Sequence, residues 1–272
     1  NMRNMNPQQQ QMMMMQMQNM QMQSAQGQQP ENWMAKPENV SNCPPGLEYL
    51  TMIDQLLIKQ KIELFEAFSG YEMNNKYVIR NTLGQQVYFA KEDTDFCVRN
   101  FCGPQRPFTI HVEDNLGQEV IQIIRPYKCM CYGQCFSCSE CCQDEVEVQA
   151  PVGSTVGYVK QVYEGCEINY IIQDANRETT LRIVGPSYCH CYCPGDDIPF
   201  TLMSKDKGTE VGRVSKQWGN LFKEWFTDAD NFGIQFPLDL DVRMKAVVLG
   251  AVFLIDFMFF EKSGNNNNNR SF

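Results

Sequence analysis

Residues 107–120 read PFTIHVEDNLGQEV and carry the clearest structural pattern in the chain. Phe108, Ile110 and Val112 alternate with polar residues, which is typical of a half-buried β-strand with its apolar side chains on one face. Turn-like sequences follow runs of this kind at 81–84, 114–117 and 206–208. Short turns between alternating runs indicate antiparallel hairpins rather than crossovers through helices, so the chain is predicted to be all-β.

An internal repeat extends this pattern over two halves of the chain. Pro-Phe-Thr-Ile at 107–110 recurs as Pro-Phe-Thr-Leu at 199–202, about 92 residues later. Gly-Gln-Glu-Val at 117–120 recurs as Gly-Thr-Glu-Val at 208–211. A third pair, at nearly the same offset, is 77–80 and 170–173. Two halves with similar strand order predict one closed antiparallel barrel of about twelve strands.

Composition divides the chain into one folded region and two tails. Residues 1–45 begin with Gln, Met and Asn and continue into a proline-containing linker, and we expect the Gln/Met-rich part to be disordered. Residues 263–272 include five consecutive asparagines and are expected to be disordered as well. Residues 46–262 are left as the folded domain, which is long enough for a single barrel core.

Charge and composition exclude several functional classes. The formal net charge of −9 argues against a nucleic-acid partner, because neutralising phosphates needs a local excess of Lys and Arg. The two histidines, His111 and His190, belong to no visible acid-base or nucleophile arrangement, so a metabolic enzyme is not expected. Thirteen clustered cysteines do not resemble a secreted disulfide framework, and no signal peptide is visible, so a reducing compartment is predicted.

The most hydrophobic segment lies near the C terminus. Residues 246–255 form an unbroken apolar run that resumes after Asp256, and its length lies between that of a buried core helix and that of a membrane span. Asp256 near the bilayer centre would cost about 2.5–3.5 kcal/mol, whereas a helix that is apolar all round also suits the axis of a closed barrel. A barrel helix and a membrane helix are both retained as interpretations. The residues that would face lipid in the second are Ala246, Val247, Leu249, Phe253, Ile255, Phe257 and Phe260.

Six cysteines lie in one predicted loop between two strand-like runs. They are Cys129, Cys131, Cys135, Cys138, Cys141 and Cys142. Accessible thiols in such a loop suit lipid acylation, and two acyl chains would anchor the chain stably where one would not. Cys135 and Cys138, with Cys141 or Cys142, could instead hold zinc, although no second pair at finger spacing is present. Inert thiols are the third interpretation. Cys189, Cys191 and Cys193 are interpreted as core or structural thiols.

Three segments near the C terminus resemble the signature end of the phospholipid scramblase family. They are DADNFGIQFPLD at 228–239, MKA at 244–246 and FLIDFMFFE at 253–261. The resemblance continues through GRVSK at 212–216, QAP at 149–151, the cysteine cluster and PGLEYL at 45–50. It therefore covers residues 46–262, the whole predicted folded domain.

This resemblance implies both a fold and an activity. The fold would be a tubby-like barrel around a central C-terminal helix. The activity would be calcium-triggered, ATP-independent, bidirectional movement of phospholipids between leaflets at the cytoplasmic face of the plasma membrane, with palmitoylated cysteines directing the protein there. A family segment implicated in nuclear import corresponds to residues 212–221, but Arg213 and Lys216 form only a small basic patch, so a nuclear pool is not expected.

Residues 228–239 resemble the family's proposed twelve-residue calcium loop. Asp228, Asp230 and Asp239 would supply the carboxylate oxygens, with Asp241 as a further ligand. Phenylalanines stand where an EF-hand usually has oxygen ligands, so any calcium affinity is expected to be weak. The alternation of apolar residues at 234, 236 and 238 also fits a barrel strand whose flanking acids face water.

Two functions are consistent with these features of the sequence. The first is a phospholipid scramblase in which weak calcium binding changes conformation or self-association at the bilayer. The second is a lipid-binding adaptor, tethered by palmitoylated cysteines, that serves signalling or transcription and does not itself move lipid.

Overall fold

A computed structural model describes residues 32–38, 40–61, 74–102, 106–127, 143–165, 167–187, 198–216 and 231–260. The chain divides into two compact units, Asn1–Trp33 and Met34–Phe272, and the elements below all belong to the second.

Within the described residues the chain forms twelve strands and two α-helices. The strands are β1 Gln55–Lys61, β2 Lys76–Arg80, β3 Gln86–Asp93, β4 Phe108–Glu113, β5 Glu119–Arg125, β6 Glu145–Gln149, β7 Thr155–Glu164, β8 Glu167–Asp174, β9 Thr179–Ser187, β10 Ile198–Ser204, β11 Glu210–Lys216 and β12 Asn231–Gln235. The helices are α1 Phe96–Cys102 and α2 Val242–Ile255. A 3₁₀ turn, Glu48–Met52, precedes β1, and a π-helical turn, Asp256–Phe260, continues α2.

The strands form a closed antiparallel barrel. Each strand pairs with its neighbours in chain order, and β12 pairs with β1 to close the sheet. In β4, Phe108, Ile110 and Val112 are buried while the residues between them are partly exposed, as their alternation predicts. The all-β closed barrel of twelve strands is thus confirmed for the described part of the chain.

The internal repeat of the sequence corresponds to strands that lie six positions apart in the barrel. The two Pro-Phe-Thr sequences enter β4 and β10, and the Gly-x-Glu-Val sequences enter β5 and β11. Tyr77 in β2 and Tyr170 in β8 are likewise equivalent, and both side chains are buried in the core. The two halves of the chain therefore build two similar halves of one barrel.

Because neighbouring strands are antiparallel, the connections alternate between the two ends of the barrel. One end, called here the turn end, carries the connections β2–β3, β4–β5, β6–β7, β8–β9, β10–β11 and β12–α2. The opposite end, called the loop end, carries β3–β4 with α1, and the connections at 126–144, 188–197 and 217–230. Both cysteine groups of the sequence therefore belong to segments that join strands at the loop end.

Helix α2 runs inside the barrel, with its first residue at the turn end. The described side chains from Met244 to Phe257 are buried, most of them completely. Gly157 of β7 and Gly250 of α2 permit the close approach, since a Cβ at 157 would lie 2.7 Å from Val247 Cγ2 and one at 250 would lie 2.6 Å from Val148 Cγ2.

Of the two interpretations of the apolar segment, the structure shows the barrel helix. Ala246, Val247, Leu249, Phe253, Ile255 and Phe257 all belong to the hydrophobic core, while the side chain of Phe260 lies outside the described residues. Among the residues that the structure describes, no helix combines the length and the apolar character needed to cross a membrane.

Ordered contacts also occur on the N-terminal side of residue 46. The Met34 amide donates a hydrogen bond to the Gln86 carbonyl oxygen, 2.8 Å away. Met34 and Cys43 pack against the hydrophobic core. The Tyr88 hydroxyl donates to the Gly46 carbonyl oxygen at 2.7 Å. Part of the proline-containing linker therefore belongs to the packed body.

Candidate functional site

Strand β12 separates the predicted calcium ligands into two pairs. Asp228 and Asp230 precede the strand and lie outside the described residues, whereas Asp239 and Asp241 follow it in the exposed connection to α2. Residues 231–235 pair with β1 and residues 232–235 pair with β11, so the middle of the twelve-residue segment is a strand of the barrel. An extended chain rises roughly 3.3 Å per residue, so the residue at the start of β12 lies far from the turn that carries Asp239 and Asp241.

Asp241 has a structural role at the start of α2. Its Oδ1 accepts a hydrogen bond from the Arg243 amide at 2.8 Å and thereby caps the helix. Asp239 stands two positions earlier on the same turn and is exposed. These two carboxylates have the hard oxygen atoms that Ca²⁺ prefers. Among the described residues, no group of three or more His, Cys, Asp and Glu side chains is arranged to hold a metal ion.

Lys245 fastens the start of α2 to the turn end of the barrel. Its side chain is fully buried, and Nζ donates hydrogen bonds to the carbonyl oxygens of Leu50, Ile53 and Leu238 at 2.8–2.9 Å. Burial lowers the pKa of Lys245, and the negative charges of Asp54 and Asp239 partly oppose that shift. In the sequence this lysine is only a polar residue beside an apolar run, so its function was missed.

A buried ion cluster lies near the loop end. Glu92 of β3 accepts hydrogen bonds from Arg106 Nε at 2.8 Å and Arg106 Nη2 at 3.1 Å, and Arg99 Nη2 of α1 lies 2.9 Å from the same carboxylate. Burial by itself would raise the pKa of Glu92, but the hydrogen bond from Arg106 and the charges of both arginines hold it below its usual value. The Arg106 guanidinium also stacks over the Phe257 ring, with 4.5 Å to the centroid.

Asp256, the acid within the apolar segment, is accommodated inside the barrel. It is 7% exposed, and the Tyr77 hydroxyl donates a hydrogen bond to its Oδ2 at 3.1 Å. The Tyr77 ring packs edge-on against Phe253, one turn earlier in α2. A buried acid is tolerated where a donor satisfies it, so Asp256 can stay inside the barrel where α2 ends and the π-helical turn begins.

The six clustered cysteines, Cys129, Cys131, Cys135, Cys138, Cys141 and Cys142, lie outside the described residues, and so do Cys189, Cys191 and Cys193. The ends of the segment that carries the six are held together by an ion pair, because Arg125 Nη2 lies 2.6 Å from Asp144 Oδ1. The described free cysteines are Cys43, Cys97 and Cys102, of which Cys97 is exposed. Burial raises the pKa of the Cys43 thiol.

A cavity of about 820 Å³ lies at the turn end. Its walls come from the β6–β7 and β8–β9 turns, the segment at 42–44 and the start of α2. The lining is mixed in character and includes Pro44, Pro151, Asn176, Thr180, Arg243 and Met244. A cavity with polar and apolar walls can accommodate an amphipathic group.

These features define a closed β-barrel whose interior is occupied by its own C-terminal helix. The model of the scramblase family matches residues 34–262, and the chain belongs to that family. It is 55% identical to phospholipid scramblase 1 of Homo sapiens over 233 residues, which cover 86% of this chain and 71% of the relative.

Other relatives give the same assignment. The chain is 58% identical to phospholipid scramblase 2 of Bos taurus over 84% of this chain and 76% of the relative. It is 42% identical to phospholipid scramblase 4 of Homo sapiens over 86% of this chain and 69% of the relative. No solved structure shows a significant match.

Proposed function

We propose that this protein is a phospholipid scramblase, which moves phospholipids in both directions between bilayer leaflets without ATP. The observation that carries the proposal is the identity of 55–58% to proteins named phospholipid scramblase 1 and 2, over more than four-fifths of the chain. On this proposal the partners are membrane phospholipids, and the protein is a lipid translocator rather than a metabolic enzyme.

The filled barrel constrains how lipid could move. Phe253 and Leu254 are at most 1% exposed inside it, and α2 packs so closely on the strands that a Cβ added at Gly157 or Gly250 would lie 2.7 or 2.6 Å from a valine side chain. A phospholipid therefore has no path along the barrel axis while α2 is in place. Movement outside the barrel, through bilayer distortion or through self-association of the protein, is the route that we propose.

Calcium is proposed to act weakly at the exposed turn after β12. Asp239 and Asp241 offer carboxylate oxygens two residues apart, but Asp241 also serves as the helix cap, which limits its freedom to bind an ion. Asp228 and Asp230 precede the strand in the sequence and form a separate pair. This division makes the calcium hypothesis testable one pair at a time.

Acylation is proposed for the cysteine segment between β5 and β6. The Arg125–Asp144 ion pair holds the ends of this segment together at the loop end, so palmitate on two or more of its cysteines would tether the barrel to the cytoplasmic face of the plasma membrane. Zinc at Cys135, Cys138 and a neighbouring cysteine is the weaker alternative. Mass spectrometry of the protein isolated from cells would distinguish a thioester-linked acyl chain from bound metal.

The test of the proposed function is leaflet exchange of fluorescent phospholipid in proteoliposomes, with and without calcium. Three variants are compared with the wild type: Asp228→Asn with Asp230→Asn, Asp239→Asn with Asp241→Asn, and the control Asp93→Asn. Asp93 is 76% exposed on β3, far in sequence from both pairs. Calcium-stimulated exchange that one pair of substitutions removes and the control retains would support the proposal and locate the ion.

Absence of exchange, with the protein confirmed in the bilayer, would overturn the scramblase proposal. A lipid-binding adaptor tethered by acylated cysteines would then be the better account of the same fold.

A further inference from the structure

Exposed apolar side chains are concentrated at the turn end of the barrel. Five of the large apolar residues with high exposure lie there: Met52 at 67%, Leu83 at 77%, Leu116 at 70%, Val152 at 43% and Leu238 at 58%. At the loop end the described residues of this kind are Tyr127 and Tyr163. Scattered exposed apolar residues are ordinary on soluble proteins, but a group confined to one end of a barrel requires an explanation.

Four of the turns at this end share one hydrogen bond and the position of a positive φ, although the turn at 150–154 differs from the others in its cis Ala150–Pro151 peptide. In the turns at 81–85, 114–118, 150–154 and 174–178, the amide of the first residue donates a hydrogen bond to the carbonyl oxygen of the fifth. The fourth residue has a positive φ in each case, at Gly84, Gly117, Gly153 and Arg177. The third residue, at the tip, is Leu83, Leu116, Val152 or Asn176.

The geometry of these turns does not require an apolar residue at the third position, the tip. The side chain of the first residue accepts the tip amide at 81, 114 and 174, where Oδ1 lies 2.9–3.0 Å from the amides of Leu83, Leu116 and Asn176. The same turn therefore holds leucine in two places and asparagine in a third. The leucines are not needed for folding of the turn, and they contribute little to the core because most of their surface is exposed.

The apolar tips occupy consecutive positions around the barrel. Starting where the chain enters β1 and leaves β12, they belong to the connections β1/β12, β2–β3, β4–β5 and β6–β7. The remaining turns, β8–β9 and β10–β11, carry charged residues instead, including Arg177, Lys205 and Lys207. The turn end is thus amphipathic, with an apolar arc, defined here as Met52, Leu83, Leu116, Val152 and Leu238, and a charged arc.

The form of the apolar arc favours a lipid surface over a protein partner. Its side chains stand singly on the tips of separate turns, with polar backbone between them, and a bilayer interface can accommodate such tips one at a time. The exposed acids Asp54 and Asp239 lie close in sequence to Met52 and Leu238, which disfavours an anionic surface. The cavity beside the β6–β7 turn would come to the level of the lipid headgroups.

We propose that the apolar arc docks the barrel onto a zwitterionic phospholipid bilayer, with the turn tips inserted below the headgroups. The proposed function enters only in the choice of phospholipid as the partner, since docking by the turn end requires neither leaflet exchange nor acylation. It is also independent of the cysteine segment, whose flanking residues Arg125 and Asp144 lie at the opposite end.

The test is sedimentation of the full unacylated chain with phosphatidylcholine vesicles. The variant Leu83→Asn with Leu116→Asn places at both tips the residue that the β8–β9 turn already carries, so folding should be retained. We expect the vesicle partition coefficient to fall by about tenfold or more, since each tip removes an apolar side chain from the interface. Asn176→Leu, which adds an apolar tip, should strengthen binding, and Tyr163→Asn at the loop end should leave it unchanged.

A second measurement reports which end enters the bilayer. In the variant Leu116→Trp, lipids brominated in the acyl chain should quench tryptophan fluorescence more strongly than in the wild type with its three native tryptophans, whereas Tyr163→Trp should show no such excess. Stronger quenching at 163 than at 116, no binding of the unacylated chain, or unchanged binding of the double variant would each overturn the docking proposal. Normal docking without leaflet exchange would overturn the scramblase proposal alone, so the two can fail separately.

Discussion

Lys245 donates a hydrogen bond from Nζ to the carbonyl oxygen of Ile53, 2.8 Å away, across 192 residues of sequence. The same ammonium group also reaches Leu50 and Leu238. One buried lysine thus joins the chain entering β1, the chain leaving β12 and the first turn of α2. This contact closes the turn end of the barrel around the helix.

Lys245→Met should destabilise the protein strongly. Methionine retains much of the volume but removes this donor from the buried carbonyl oxygens of Leu50 and Ile53 and from the partly buried one of Leu238. A buried polar group left unsatisfied costs about 1–3 kcal/mol. We expect the free energy of unfolding, measured by denaturant titration, to fall by at least about 2 kcal/mol. The control Lys91→Met removes a partly exposed ion pair with Glu113 and should cost less than about 1 kcal/mol. Equal losses in the two variants would contradict the anchoring role.

Glu92→Gln should reduce stability and flatten its dependence on acid pH. The pKa of Glu92 is below its ordinary value of 4.5, so its contribution is present above about pH 4.5 and is lost as the pH falls through the lower pKa of the folded state. Removing one partner of a buried ion cluster costs about 3–5 kcal/mol. Denaturant titrations at several pH values between neutral and acid should show that the free energy of unfolding falls less in the variant than in the wild type as the pH is lowered.

A matched comparison for that variant is Glu164→Gln. Glu164 pairs with Arg182 and Lys207 on the surface, where an ion pair contributes about 0–1 kcal/mol. Both variants should be compared by their loss of unfolding free energy at neutral pH. If Glu92→Gln loses no more than Glu164→Gln, the buried cluster does not stabilise α1 and β3 as described.

Gly157→Ala should destabilise the fold more than Gly250→Ala. A Cβ at 157 would overlap the backbone carbonyl oxygen of Gln173 as well as approach Val247, and backbone cannot move aside cheaply. At 250 the nearest atom is a methyl group of Val148, and alanine gains about 1 kcal/mol in helix propensity. By denaturant titration, we expect the free energy of unfolding to fall by about 1–3 kcal/mol in Gly157→Ala and to change less in Gly250→Ala. The reverse order would argue against α2 packing on β7.

Substitutions at Asp241 should separate its structural role from calcium binding. Asparagine caps helices about as well as aspartate, so Asp241→Asn should leave the melting temperature nearly unchanged, while Asp241→Ala should cost about 0.5–2 kcal/mol. If the carboxylate also contributes to the calcium response, both variants should weaken calcium-stimulated leaflet exchange. A normal calcium response in Asp241→Asn would restrict this residue to capping.

The candidate site was only partly predictable from the sequence. Asp239 and Asp241 could be selected because acids surround a recognisable motif, but the division of the motif by β12 depends on pairing with β1 and β11. The buried Glu92 cluster gave no local signal, because its arginines lie outside β3, on α1 and before β4. The predicted acylation cysteines lie outside the described residues, so they remain predictions.

The sequence by itself determined the antiparallel strands and hairpins, since alternation and turn residues report interactions between residues that are close along the chain. The internal repeat added the expectation of two similar halves in one barrel. Only the tertiary structure decided where the apolar C-terminal segment lies, because a helix that is apolar all round suits a barrel interior and a bilayer equally well in composition. The same holds for the partners of Lys245 and for the gathering of Leu83, Leu116 and Leu238 at one end. These relationships exist only after β1 pairs with β12, and closure of the sheet is a property of contacts distant in sequence.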